Sequence, residues 1–137
     1  KSLVADHPGR VRVSLRHVAF HEGSDYVVRV LEASRKQDKY WPTLEAVLAS
    51  QAQWAPNHRA QPDLVLQAIA GVGLNIEQLK VDINAPEVVE RAQHDTSDAI
   101  TMKVTATPEY FVNGRPLPSF GDQQLLELVR EELQKAY

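Results

Sequence analysis

The stretch Val104-Thr-Ala-Thr-Pro-Glu-Tyr-Phe-Val-Asn-Gly-Arg-Pro-Leu-Pro118 constrains the fold of this chain more than any other. Tyr110-Phe111-Val112 is a short aromatic and β-branched run that reads as a buried strand. Asn113-Gly114 is the strongest short-range hairpin signal, because a type I′ turn needs positive φ at both central residues. The returning strand, Arg115 to Pro118, carries two prolines and must be short and lie on a sheet edge. Pro108 at the strand entry removes an N–H where a ladder bond is usually made. That points to a special backbone geometry there, such as a cis peptide bond.

The rest of the chain supplies layers for this hairpin. Ser2 to Asp6 reads as the last turns of a helix, stopped at His7-Pro8-Gly9. Val11, Val13 and Leu15 then alternate with Arg12, Ser14 and Arg16, which predicts a strand with one buried face running into His17-Val-Ala-Phe20. A chain that opens in a helix and passes straight to a strand implies an earlier strand–helix unit upstream.

From Ser24, a plausible N-cap, the period becomes helical, with Tyr26, Val27, Val30 and Leu31 on one stripe. A second helix is expected from near Asp38, with Pro42 in its first turn and Trp41, Leu44, Val47 and Leu48 buried. Residues 53–59 read as a polar loop anchored by Trp54. Pro62 opens a third helix, carrying Leu64, Val65, Ala68 and Ile69 and stopped by Gly71 and Gly73. Asn75 caps a short fourth segment. Pro86 starts a longer helix through Val88, Val89, Ala92, Thr96, Ala99 and Ile100. After the hairpin, a terminal helix places Leu125, Leu126, Val129 and Leu133 on its apolar face, with Leu128 at the margin. The order is an α/β sandwich with helices inserted between a first strand and a C-terminal hairpin.

Composition excludes several functions. The 137 residues are enough to bury a core, and a net charge of −3 with no basic stripe argues against nucleic acid as a partner. No apolar run approaches the length of a membrane-spanning helix. The chain contains no cysteine, so it holds no disulfide, thiolate nucleophile or Cys-based metal site.

Other chemistry-bearing residues read as structural. His17 and His21 are four apart across a strand end and a loop, not on one helix face, so solvated or capping roles fit better than a metal pair. His7, His58 and His94 are isolated. Ser24, Ser34 and Ser50 lack a nucleophile-elbow setting. Asp63, Glu77, Asp82 and Glu87 sit among helix starts, where capping and dipole complementarity account for them. Gly71-Val-Gly73 ends a helix and is no phosphate loop. Trp41 and Trp54 read as packing anchors. No metal site and no cofactor are expected.

Thr105-Ala-Thr-Pro-Glu-Tyr-Phe-Val-Asn-Gly-Arg115 resembles the Val-Thr-x-Thr-Pro-x-Phe-Phe-Val-Asn-Gly-Lys/Arg segment of DsbA-like thiol-disulfide oxidoreductases. His7-Pro-Gly-Arg-Val-Arg-Val13, His17 to Val28, Lys39-Tyr-Trp with Leu44-Glu-Ala, and Pro116-Leu-Pro-Ser-Phe-Gly with Gln124-Leu extend the likeness over essentially the whole chain, the last as in a subgroup of bacterial members. The resemblance implies a thioredoxin-like (DsbA-like) α/β fold with an inserted helical subdomain, its first strand and active-site helix start missing. It divides the chain into a thioredoxin-fold part at 1–23, a mainly helical insertion at 24–84, and a second thioredoxin-fold part at 85–137.

In that family the proline of Thr-Pro is cis and faces a Cys-x-x-Cys at the start of the first thioredoxin helix. The match assigns that role to Pro108, with Thr107 offering its backbone to a polypeptide substrate; an X-Pro bond otherwise favours trans. The sequence departs from the family in two places. Lys103 stands where a Gly often precedes the Val. The cysteines are absent, and the resemblance places them shortly upstream of Lys1. The implied activity is therefore that of a longer parent, thiol-disulfide exchange on polypeptides bearing thiols or disulfides, served by a redox partner protein, while this chain alone is redox-inert. The family setting favours the periplasm or cell envelope over the cytoplasm. Two rival readings stand beside it: a redox-inactive thioredoxin-fold module that binds peptides or proteins, and a relative of the kappa-class glutathione transferases and isomerases.

Overall fold

The computed structural model describes residues 2–137; Lys1, counted in the expected 1–23 part, lies outside the described residues. The chain divides into two compact units, one made of residues up to Leu15 with Lys103–Tyr137, the other of Arg16–Met102. The helix that opens at Pro86 belongs to the second unit.

The larger unit is all helical and is built around α2 (Ser24–Ser34). Val27, Val28, Val30, Leu31, Glu32, Ala33 and Ser34 of this helix are all buried. A helix buried on so many sides must be covered by several neighbours. They are α3 (Tyr40–Ala49), α5 (Pro62–Ala68), α6 (Ile76–Asp82) and α7 (Pro86–Thr101), while α4 (Gln51–Trp54) packs against α5. Val47, Trp54, Val65, Ile69, Leu79, Ile83 and Val88 close the core around α2. The Trp54 indole N–H finds its acceptor inside the core, donating to the Val47 carbonyl at 2.8 Å.

Local chemistry explains the helix ends. Prolines at the N-termini of α5 and α7 cost no hydrogen bond, because the first-turn N–H groups have no partner within the helix. Asn75 accepts from the Gln78 backbone N–H at 3.0 Å, as its reading as a cap requires. Gly73 ends a 3-10 turn in the left-handed region. Ser24 is the first helical residue rather than the cap. Its hydroxyl turns back to donate to the His21 carbonyl at 2.6 Å and accept from the His21 N–H at 3.2 Å, and Gly23 precedes it with φ 76°. Residues 53–59 are not a polar loop: they hold the end of α4 and a 3-10 turn over Pro56–His58.

Two apolar stripes are rotated from their expected positions. In α3 the buried residues are Tyr40, Thr43 and Val47, while Trp41 and Leu48 are 55% and 61% exposed. Trp41 and Leu48 are seven apart and share a stripe, but α2 covers the one beside it. In α7 the buried residues are Val88, Asp95 and Ala99, seven and four positions apart, while Ile100 is 73% exposed.

The smaller unit holds α1 (Ser2–Asp6), the hairpin β1 (Phe111–Val112) and β2 (Arg115–Pro116), and α8 (Asp122–Ala136). Asn113 and Gly114 have φ of 50° and 81°, the backbone a type I′ turn needs, and Phe111 pairs with Pro116 and Val112 with Arg115. The Leu117 N–H donates to the Tyr110 carbonyl at 2.9 Å and extends the pairing by one rung. Phe111 and Val112 are only half-buried and Tyr110 is exposed, so the expected buried strand is a half-covered one. The terminal helix buries Leu128 and Val129, and Leu126 faces outward, so the stripe is centred on the residue expected at its margin.

The expected strand from Val11 is not formed. Residues 11–20 carry no ladder, and Val13 and Leu15 are 57% and 42% exposed. A strand buries a face only where a neighbour pairs with its backbone and another layer covers it. Among the described residues the sheet consists of β1 and β2 alone.

Charge ties the hairpin to α8. Arg115 donates to Glu131 at 3.1 Å and to Glu132 at 2.6 Å, and Glu132 also receives Lys135 at 2.8 Å and the Asn113 amide at 3.2 Å. Hydrogen bonds from Lys135, Arg115 and Asn113 lower the Glu132 pKa to about 2. A depressed carboxylate pKa adds stability above its ordinary value of 4.5, and that stability is lost as pH falls towards about 2. Glu132→Gln should therefore lower the urea midpoint at pH 7, and its deficit relative to the parent should shrink between pH 4.5 and 2. A pH-independent deficit would remove the ionic account.

Gly23 is fixed by space as well as by φ. A Cβ there would lie 2.6 Å from the Ala60 carbonyl oxygen, and the Ala60 N–H donates to the Glu22 carbonyl at 3.1 Å. Gly23→Ala should cost about 3 kcal/mol in denaturant unfolding, from the left-handed φ and the backbone clash together. A loss below about 0.5 kcal/mol would show that this approach relaxes freely.

Candidate functional site

The Thr-Pro segment lies in the smaller unit. Lys103 has φ 59°, so the position where a Gly is often found adopts the left-handed backbone that Gly favours. From Thr105 to Tyr110 every residue is exposed. The Thr107–Pro108 peptide bond is cis. Pro108 has no N–H to give, and the hairpin pairing starts only at Tyr110. The Tyr110 and Phe120 rings lie 6.0 Å apart, tilted by 38°, and Phe120 is largely exposed. The segment therefore presents exposed backbone at Thr107, with the Tyr110 and Phe120 rings set against each other at its C-terminal end.

A second group of polar residues, which no spacing in the sequence brings together, lies in the helical unit. Asp95 occupies an inward position of α7 and accepts from Arg16 and from the His17 backbone N–H at 3.2 Å. Arg16 also reaches Asp98. These carboxylates raise the Arg16 pKa through their hydrogen bonds. The His17 Nε2 lies 2.6 Å from the Tyr40 hydroxyl, and the Arg35 guanidinium sits 3.7 Å above the Tyr40 ring. Arg35 in turn donates to buried Glu32 at 2.9 Å, and Arg91 lies 3.7 Å from the same carboxylate. Burial lowers the His17 pKa and raises that of Tyr40.

This arrangement holds protons in place rather than moving them. His17 is neutral at pH 7, Tyr40 keeps its proton, and each carboxylate faces a guanidinium. His17 is thus engaged with Tyr40 and is not paired with His21. His21 instead meets His58, with ring centroids 5.7 Å apart. No group of three or more His, Cys, Asp or Glu among the described residues could hold a metal ion. Ser34 and Ser50 donate to the Leu31 and Ala46 carbonyls within their own helical turns. Glu77 pairs with Lys80, and Lys36 bridges Asp82 and Glu87, while Asp63 stands in the first turn of α5.

Taken with the hairpin and the inserted helices, these features define a thioredoxin-like domain. The chain belongs to the DSBA-like thioredoxin domain family, which matches residues 4–134. It has the DsbA-like thioredoxin fold, with mostly helical content and a small sheet. A thioredoxin-like oxidoreductase from Silicibacter pomeroyi DSS-3 is similar in structure, with a TM-score of 0.79 and 30% identity, over 99% of this chain and 75% of that one. In sequence the chain is 30% identical over 121 residues to a Na(+)/H(+) antiporter NhaA from Herminiimonas arsenicoxydans, covering 88% of this chain and 18% of the antiporter. It is 31% identical over 99 residues to Na(+)/H(+) antiporter NhaA 1 from Mycobacterium sp. (strain KMS), covering 69% of this chain and 15% of that protein. The chain thus spans less than a fifth of the length of these curated relatives. No helix among the described residues is long and apolar enough to cross a membrane.

The polar group makes a pH prediction. Burial disfavours charged His17, so its folded pKa lies below the ordinary 6.5 and the unfolded chain takes up the proton first. Stability should fall as pH drops below 6.5, and His17→Gln should flatten that part of the profile. An NMR titration placing the His17 midpoint at or above 6.5 would contradict the burial argument.

Proposed function

We propose that this chain is the C-terminal part of a DsbA-like protein thiol-disulfide oxidoreductase that acts on polypeptides. Thr107 and Pro108 form one wall of its substrate groove, where a substrate strand pairs with the Thr107 backbone. The observation that carries this reading is the exposed Thr107-Pro108 segment directly before the Asn113-Gly114 hairpin, within a chain of the DSBA-like family. Cysteine chemistry has to come from residues outside this sequence, since the chain contains none. Coverage of only 75% of the similar oxidoreductase supports a longer parent.

A second reading has its own support. The antiporter matches favour a thioredoxin-fold module carried by a membrane transporter, binding peptide segments without redox chemistry of its own. The two differ in what lies upstream of Lys1.

The test is to express the parent polypeptide from its own gene and measure insulin-disulfide reduction beside the 137-residue chain. The oxidoreductase reading expects activity from the parent, no activity from the short chain, and loss of activity when an upstream Cys-x-x-Cys is changed to serines. A parent without that motif that still binds unfolded peptides, with binding weakened by Thr107→Arg, would favour the second reading.

A further inference from the structure

His21 and His58 are 37 residues apart in sequence, and nothing in the spacing brings them together. In the structure their rings lie 5.7 Å apart, tilted by 32°, and both side chains are exposed. Their backbones are held from both sides. Ser24 bonds to both the N–H and the carbonyl of His21. The Ala60 N–H donates to the Glu22 carbonyl, and Gly23 packs so closely on Ala60 that no side chain fits between them. His58 is presented by an unusual turn, with Asn57 and His58 both in the left-handed region at φ 54° and 60°. Two consecutive non-glycine residues in that region are held there by the surrounding structure, a pattern that concentrates at ligand sites.

The ring spacing suits a shared ion. With Zn–N bonds near 2.0 Å, two imidazoles on one tetrahedral ion have ring centres roughly 5 Å apart. The observed 5.7 Å separation is close to that value, and both rings are exposed. Glu22 is engaged by Arg59 at 3.0 Å, which leaves the local charge balanced and the two imidazoles as the protein's donors. We propose that His21 and His58 form a two-imidazole site for a borderline divalent transition metal such as Zn2+, with its other coordination positions open to water or to a donor from a bound molecule. The site lies wholly within the helical unit and does not depend on the redox reading.

Calorimetric titration of the protein with zinc chloride in a non-chelating buffer at about pH 7.5 tests this, since imidazole binds metal as a neutral ligand. One saturable site is expected, with copper(II) bound more tightly than zinc, as the ordinary affinity order requires. His21→Ala and His58→Ala should each weaken zinc binding by about tenfold or more, while His94→Ala leaves it unchanged. Circular dichroism of each variant checks that the fold survives. Absence of saturable zinc binding, or binding that both single substitutions leave unchanged in a folded protein, would overturn the site.

Discussion

Glu32 sets the terms for the helical unit. It sits on the central helix and is only 4% exposed, and an unpaired carboxylate so placed would cost several kcal/mol. Arg35 and Arg91 supply its countercharges. Arg35 can serve two purposes because its guanidinium is flat: its edge meets the carboxylate while its face lies over Tyr40. Tyr40 is thereby fixed for His17, and His17 and Arg16 engage Asp95 on α7. The apolar core draws the helices together, and this polar chain fixes the register in which they meet.

The smaller unit solves a different problem. Two-residue strands bury little and cannot hold a hairpin alone. Arg115, Glu131, Glu132 and Asn113 join the hairpin to α8 through a charged cluster, and Leu128 and Val129 supply the apolar contact of that helix. The Thr107-Pro108 segment precedes a turn whose geometry is set by Asn113 and Gly114.

Much of this was legible in the residues. Pro62, Pro86, Asn75 and Gly73 mark helix boundaries through their own backbone chemistry, and Asn113-Gly114 marks the hairpin for the same reason. Burial was less legible. Trp41 and Leu48 look as apolar as Val47, and Leu126 as apolar as Leu128, so hydrophobicity alone cannot say which of two adjacent stripes a neighbour will cover. Asp95 was missed because a carboxylate at an inward position is acceptable only once Arg16 and the His17 N–H are known to face it.

The sequence by itself determined where most helices begin and end, the type of turn in the hairpin, the family pattern around Thr107-Pro108, and the absence of any sulfur nucleophile. These depend on φ preferences, missing N–H groups and residue identity, all local properties. Only the tertiary structure decided that residues 11–20 join no strand among the described residues, that Glu32 and Asp95 lie inside, and that His21 meets His58. Those outcomes depend on which distant segments come into contact, and no local preference encodes that.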